Sequence, residues 1–202
     1  MTRVSSIPKE FCMQSLEHKL LESKHLSQQA VDLFLTGWTK NIKLKPKEPL
    51  VDFNNHASDL YFIADGCVRL FVVNNQGEEV NIGFGYGNTF ITSFQSFIDG
   101  EPSMLCLEAI LESTVVGIPK KNLIKLVGEN GEIANWYQSM LEATLSGHIR
   151  RQVELLTLPP AERYKVFIKR SGHLVNAIPL KLIASYLMMT PETLSRIRAR
   201  IS

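Results

Sequence analysis

The chain has 202 residues, 45% apolar and 21% charged, with a net charge of +2. That length holds one large domain or two small ones, and that composition buries a core rather than staying disordered. No apolar run approaches the ~20 residues of a membrane span, and "MTRVSSIPKEFCMQS" lacks a signal peptide's apolar stretch, so a cytoplasmic protein without membrane contact is expected.

Two helices open the chain. "KEFCMQSLEHKLLES" places Phe11, Leu16, Leu20 and Leu21 at roughly helical spacing. "SQQAVDLFLTGW" begins with the N-cap residue Ser27, repeats apolar residues from Ala30 to Leu35 and stops at Gly37. From Asn41 the texture changes to β-branched and aromatic runs punctuated by Pro46, Pro49, Gly66 and the turn at residues 74–77. Several short strands with regular turn signals predict a β-sandwich or barrel between about residues 41 and 119. A helix start follows in "PKKNLIKLV".

"EIANWYQSMLEATLSGHIRRQVELLTL" predicts a long helix with two apolar stripes. One runs Tyr137, Leu141, Leu145, Ile149, Val153, Leu156, and the other Ile133, Trp136, Met140, Ala143. Such a helix has two surfaces to bury. One suits the β-domain and the other suits the same helix of a second copy; the alternative is one helix buried within a single chain. Pro159-Pro160 stops it, and "AERYKVFIKRSG" restarts with Tyr164, Phe167 and Ile168 facing a core. "LKLIASYL", the connector "MMT" and "TPETLSRIRAR" then have the lengths of a helix-turn-helix. Thr190 is the N-cap, Pro191 the first helical position, and Leu194 and Ile197 point inward.

Charge singles out this last segment. From residue 159 onward there are eight basic and two acidic residues, net +6, against fourteen basic and eighteen acidic elsewhere, net −4. That is the footprint of a polyanion-binding module on a body that does not share it; a solvated basic face is the plain alternative. Outward arginines reach guanine edges bidentately, Glu accepts from cytosine, and Ser or Thr hold phosphates or base edges. The candidate DNA-binding residues are therefore Thr190, Glu192, Thr193, Ser195, Arg196, Arg198 and Arg200.

Catalytic and metal signals are missing. Cys12, Cys67 and Cys106 show no CxxC spacing and read as small apolar fillers. The five histidines have no metal-ligand spacing, and no GxSxG or P-loop occurs. No enzyme and no metal are expected.

"ERYKVFIKRS…IPLKLIASYLMMTPETLSRIR" resembles the C-terminal winged-helix segment of the Crp/Fnr family of bacterial transcription regulators. "LYFIADGCVRLFVVNNQGEEVNIGFGYGN" resembles that family's cyclic-nucleotide-binding jelly roll, with a Gly-x-x-Arg turn at Gly66–Arg69 and later Ala109. The resemblance spans about residues 10 to 202. It implies an α+β chain: an N-terminal jelly roll with flanking helices (residues 1–128), a dimer helix (129–158) and a winged helix-turn-helix (159–202). It implies a homodimer on double-stranded DNA, recognition helices in the major groove and half-sites ~34 Å apart, with RNA polymerase a candidate partner. Two positions depart from the family: Met188 stands where Gly is usual, and Pro191 where a polar or basic residue is common.

The family's cyclic-nucleotide members hold the ribose with a Glu and the phosphate with an Arg. Here those positions fall near Thr92 and at Ser103 or Met104. The candidate effector pocket, Phe90, Thr92, Ser93, Ser96, Ser103 and Met104, offers hydroxyls and an apolar wall but no charge. A buried phosphate needs a paired charge or several donors, so an effector other than cAMP, or none, is expected, and no cofactor is assigned. Arg69 reads as a structural strand residue. The expected function is a DNA-binding regulator sensing a small molecule; the alternative is a ligand-binding or docking module of the same fold that does not read DNA.

Overall fold

Burial on both faces of a short strand explains the centre of the β-domain. Asp59–Asp65 (β3 here) buries six of its seven residues, because it lies inside a sheet whose other face is also covered. The computed structural model describes residues 9–201. The elements run α1 (Lys9–Leu21), α2 (Gln28–Leu35), β1 (Lys40–Leu44), β2 (Pro49–Val51), β3, β4 (Cys67–Val73), β5 (Glu79–Tyr86), β6 (Thr89–Ile91), α3 (Phe94–Asp99), β7 (Cys106–Ala109), β8 (Ser113–Pro119), α4 (Lys120–Glu129), α5 (Gly131–Thr157), α6 (Pro160–Ser171), a 3-10 turn (Gly172–Leu174), α7 (Leu180–Tyr186) and α8 (Pro191–Ile201).

Two four-stranded sheets form, in the orders β1-β8-β3-β6 and β2-β7-β4-β5, the strand order of an eight-stranded jelly roll. β8 pairs antiparallel with both β1 and β3, and β3 pairs antiparallel with β6. Gly66 takes φ +97° between β3 and β4, and a Cβ there would stand 2.3 Å from Ser113 Oγ, so the Gly-x-x-Arg turn admits only glycine. Arg69 is buried on β4, a strand residue as its context suggested, and its guanidinium Nη2 lies 2.8 Å from Glu108 on β7, a strand-to-strand ion pair.

The chain divides into two compact units. The first comprises residues 1–70 and 84–140, the second residues 71–83 and 141–202, so the division runs through α5. In the first unit α1 buries Cys12, Leu16 and Leu20, a strict i, i+4 line. Phe11 and Leu21, expected on that stripe, sit beside the line and are about half exposed. Ser27 caps α2 by accepting from the Ala30 amide, and its own N–H donates to Glu132 at the start of α5. Phe34, Trp38, Phe62, Phe90 and Trp136 pack edge-on or tilted, with ring centroids 5.0–5.9 Å apart.

In the second unit Tyr164, Phe167, Leu174, Ile178, Ile183, Tyr186 and Leu187 build a small helical core that Leu194 completes. Ile168, expected inward, is 38% exposed, since Tyr164 and Phe167 already define the inward line of α6. The wing is a second correction. Among the described residues no strand follows β8; the link from α6 to α7 holds a 3-10 turn whose Val175 N–H bonds Gly172 O, which leaves no paired hairpin there.

Candidate functional site

The path into α8 begins at the end of α7. The Met189 amide donates to Ala184 O at 3.1 Å and the Met188 amide to Ser185 O at 3.0 Å. This pair of bonds is a Schellman motif. Its C′ residue needs a left-handed backbone, and Met188 supplies it at φ +53°. Thr190 then caps α8, its hydroxyl accepting from the Thr193 amide at 3.2 Å. Glu192 stands in the first turn. Its carboxyl is held below the usual range by its own backbone amide, then by the Thr190 hydroxyl and, further off, by Arg196.

Leu194 is fully buried, and this sets the rotation of α8. Glu192, Ser195, Arg196 and Arg200 are exposed, Thr190 is exposed, and Thr193 and Arg198 are half-buried. Arg196 Nη2 lies 3.4 Å from Thr193 Oγ1. The seven sequence-picked residues thus lie along one short helix and its cap, with Glu192, Ser195, Arg196 and Arg200 on its open side. Ile201 falls where no side chain is described.

Sequence reading missed the clasp behind this helix pair. The Arg151 guanidinium on α5 stacks 3.4 Å above the Tyr186 ring and donates to Tyr186 O. Arg170 Nη2 lies 3.1 Å from the Tyr186 hydroxyl and pairs with Glu154 at 3.4 Å. Arg170, one of the basic residues counted toward a nucleic-acid surface, is therefore engaged together with Arg151 in holding α7 to α5 and α6. An aromatic in α7 and an arginine two turns before Pro159 are the only signals, and spacing alone does not join them.

Further along α5, Leu145, Ile149, Val153 and Leu156 are 53–77% exposed. They recur at four- and three-residue steps, so they form one face. Ile133 and Trp136 of the other stripe are buried in the first unit. The stripes do not separate cleanly: Tyr137 and Met140, one from each, both pack partly buried against that core, and Ala143 is exposed, so burial falls off along the helix.

The candidate effector residues are mostly engaged internally. Thr92 Oγ1 donates to Asp59 O at 2.8 Å. Ser103 Oγ lies 2.7 Å from both Ser93 Oγ and Leu105 O. Ser96 Oγ donates to Glu101 O and accepts from the Ala57 amide. All four are at most 2% exposed. Phe90 lies in the aromatic cluster, whereas Met104 is 66% exposed and joins none of them. No cationic side chain among the described residues is a partner of these hydroxyls. Among the described residues no group of three or more acidic, His or Cys side chains is placed to hold a metal ion, and no helix is long and apolar enough to cross a membrane.

Comparison with known proteins places this geometry. Residues 41–130 match the family model of the cyclic nucleotide-binding domain. No curated protein matches the chain. Among solved structures, FixK2 from Bradyrhizobium japonicum is 20% identical, covers 80% of this chain and 83% of its own, and has a TM-score of 0.70. The c-di-GMP-responsive global regulator CLP of Xanthomonas campestris is 15% identical, with 87% and 91% covered and a TM-score of 0.63. The Thermus thermophilus catabolite activator protein is 19% identical, with 87% and 84% covered and a TM-score of 0.55. At these identities the likeness is one of fold. The chain shares the fold of these solved structures, with a cyclic nucleotide-binding domain match over residues 41–130.

Proposed function

We propose that the chain is a homodimeric, DNA-binding regulator of the Crp/Fnr type whose jelly roll answers to a small molecule other than cAMP. The observation that supports it most is the open side of α8, where Glu192, Ser195, Arg196 and Arg200 stand exposed behind a hydrogen-bonded turn. Guanidinium and carboxylate groups on such a helix match base edges in the major groove, and Thr190, Thr193 and the first-turn amides suit phosphate. The exposed stripe of α5 is the natural seam for a second copy, since four large apolar side chains in a row otherwise stay in water.

An effector acts by binding one arrangement of the paired heads better than another. The hydroxyls at Thr92, Ser93, Ser96 and Ser103 already have partners and no cation joins them, which argues against a cyclic phosphate held as the Glu-and-Arg members hold it. Selection of bound sites from random duplex DNA tests the reading. A two-fold symmetric motif is expected, with affinity falling steeply as salt rises. Absence of enrichment at low ionic strength overturns it and favours the module that does not read DNA.

A further inference from the structure

A cleft of about 490 Å³ opens in the first unit at one end of the β1-β8-β3 sheet. That volume is in the range of metabolite sites. Lys40, Asp59, Lys120 and Lys121 line it together with Ser96 and Phe97. Of the six candidate effector residues only Ser96 lines it; Phe90, Thr92, Ser93, Ser103 and Met104 do not.

Asp59 is the anomaly. It is 2% exposed. Its Oδ2 is crowded with donors: Lys40 Nζ at 2.6 Å, Ser58 Oγ at 2.8 Å and the Tyr61 hydroxyl at 3.2 Å. Its Oδ1 is buried with no partner among the described residues. A charged acceptor out of water without a donor is costly and rare, and it calls for an explanation. Asp59 lines the cleft, and with all three donors on one oxygen the other is left without one.

The rest of the cleft says what that something carries. α4 begins here, with Pro119 at the cap position and no side-chain cap; the Lys120 amide donates to Ser58 O, and the amides after it, with the helix dipole, favour an anion. Lys121 is exposed. Lys120 spends one donor on Ile98 O at 3.0 Å and lies 5.5 Å from the Phe97 ring, leaving further donors on its ammonium. Three lysines face one carboxylate, so a ligand ammonium is repelled, whereas a hydroxyl satisfies Oδ1 without adding charge.

We propose that this cleft binds a small hydroxylated anion, a phosphate monoester or carboxylate bearing a free hydroxyl. Lys120, Lys121 and the start of α4 hold the anionic group, and the hydroxyl donates to Asp59 Oδ1. Phe97 and Ser96 belong to α3, so occupancy also bears directly on that helix.

Isothermal titration of the full chain with glycerol 3-phosphate, malate, inorganic phosphate and glycerol tests this. At least one of the first two is expected to saturate a single site, about tenfold or more tighter than inorganic phosphate, the worth of one charge-assisted hydrogen bond. Glycerol is expected not to bind. Lys121→Glu, at an exposed position that leaves the core untouched, is expected to abolish binding with an unchanged circular dichroism spectrum. Asp59→Asn is expected to erase the preference over inorganic phosphate. The proposal is overturned if neither hydroxylated anion saturates in the millimolar range, if Lys121→Glu leaves binding intact, or if inorganic phosphate binds equally well. None of these results depends on whether α8 reads DNA.

Discussion

Met188→Gly separates backbone strain from side-chain packing at the turn before α8. Met188 holds φ +53°, and the left-handed conformation costs an L-residue ~1–2 kcal/mol. Glycine removes that cost but widens the unfolded ensemble, which returns ~0.4–1 kcal/mol. The net expectation is a gain of ~0.5–1 kcal/mol, or about 1–4 °C in Tm for a chain of this size. The Met188 side chain is 57% exposed, so its own packing contributes little. Met188→Ala, which keeps the Cβ and therefore the strain, is the control and is expected to leave Tm nearly unchanged. Both backbone bonds of the Schellman motif survive either change, because both donors are amides. Differential scanning calorimetry of the three proteins reads the outcome. A Gly variant no more stable than its parent, with the Ala variant also unchanged, would refute the strain argument.

Four further outcomes are expected. Ile149→Glu puts a charge at the centre of the exposed α5 stripe and should shift the protein from dimer to monomer in sedimentation equilibrium, with helix content kept. Arg196→Ala should lose ~1–3 kcal/mol of discrimination at one base pair of the selected site, read by competition binding; equal discrimination would remove Arg196 from that role. Gly66→Ala should cost ~2 kcal/mol or more in urea unfolding, because the new Cβ meets Ser113 Oγ at 2.3 Å and Glu112 O at 2.5 Å. Burial pushes the Cys67 and Cys106 thiols up to about 12 from 9.0. The unfolded chain then releases these protons first, so their effect is absent below pH 9 and stability falls as pH rises from 9 toward 12. Urea midpoints at pH 8 and 10 should differ, and by less in a Cys67→Ala/Cys106→Ala variant.

What neighbouring residues decide was legible before any fold was known. Ser27 before its apolar repeat, Pro159-Pro160 after α5 and Thr190-Pro191 at α8 act through bonds within one turn, so their meaning survives any packing. The alternating runs between residues 41 and 119 imply strands by the same local logic, and the basic excess after residue 159 needs only counting. The tertiary structure decided what distance in sequence conceals. It set the order β1-β8-β3-β6, joined Arg69 to Glu108, brought Arg151 over Tyr186, moved the α1 core line from Phe11 to Cys12, and built the described residues after 159 from helices and a 3-10 turn without a strand. It also left Asp59 Oδ1 without a donor inside a lysine-rimmed cleft. Pairings of this kind depend on which side chains claim each donor first. That competition is settled only when segments forty to a hundred residues apart exclude water together.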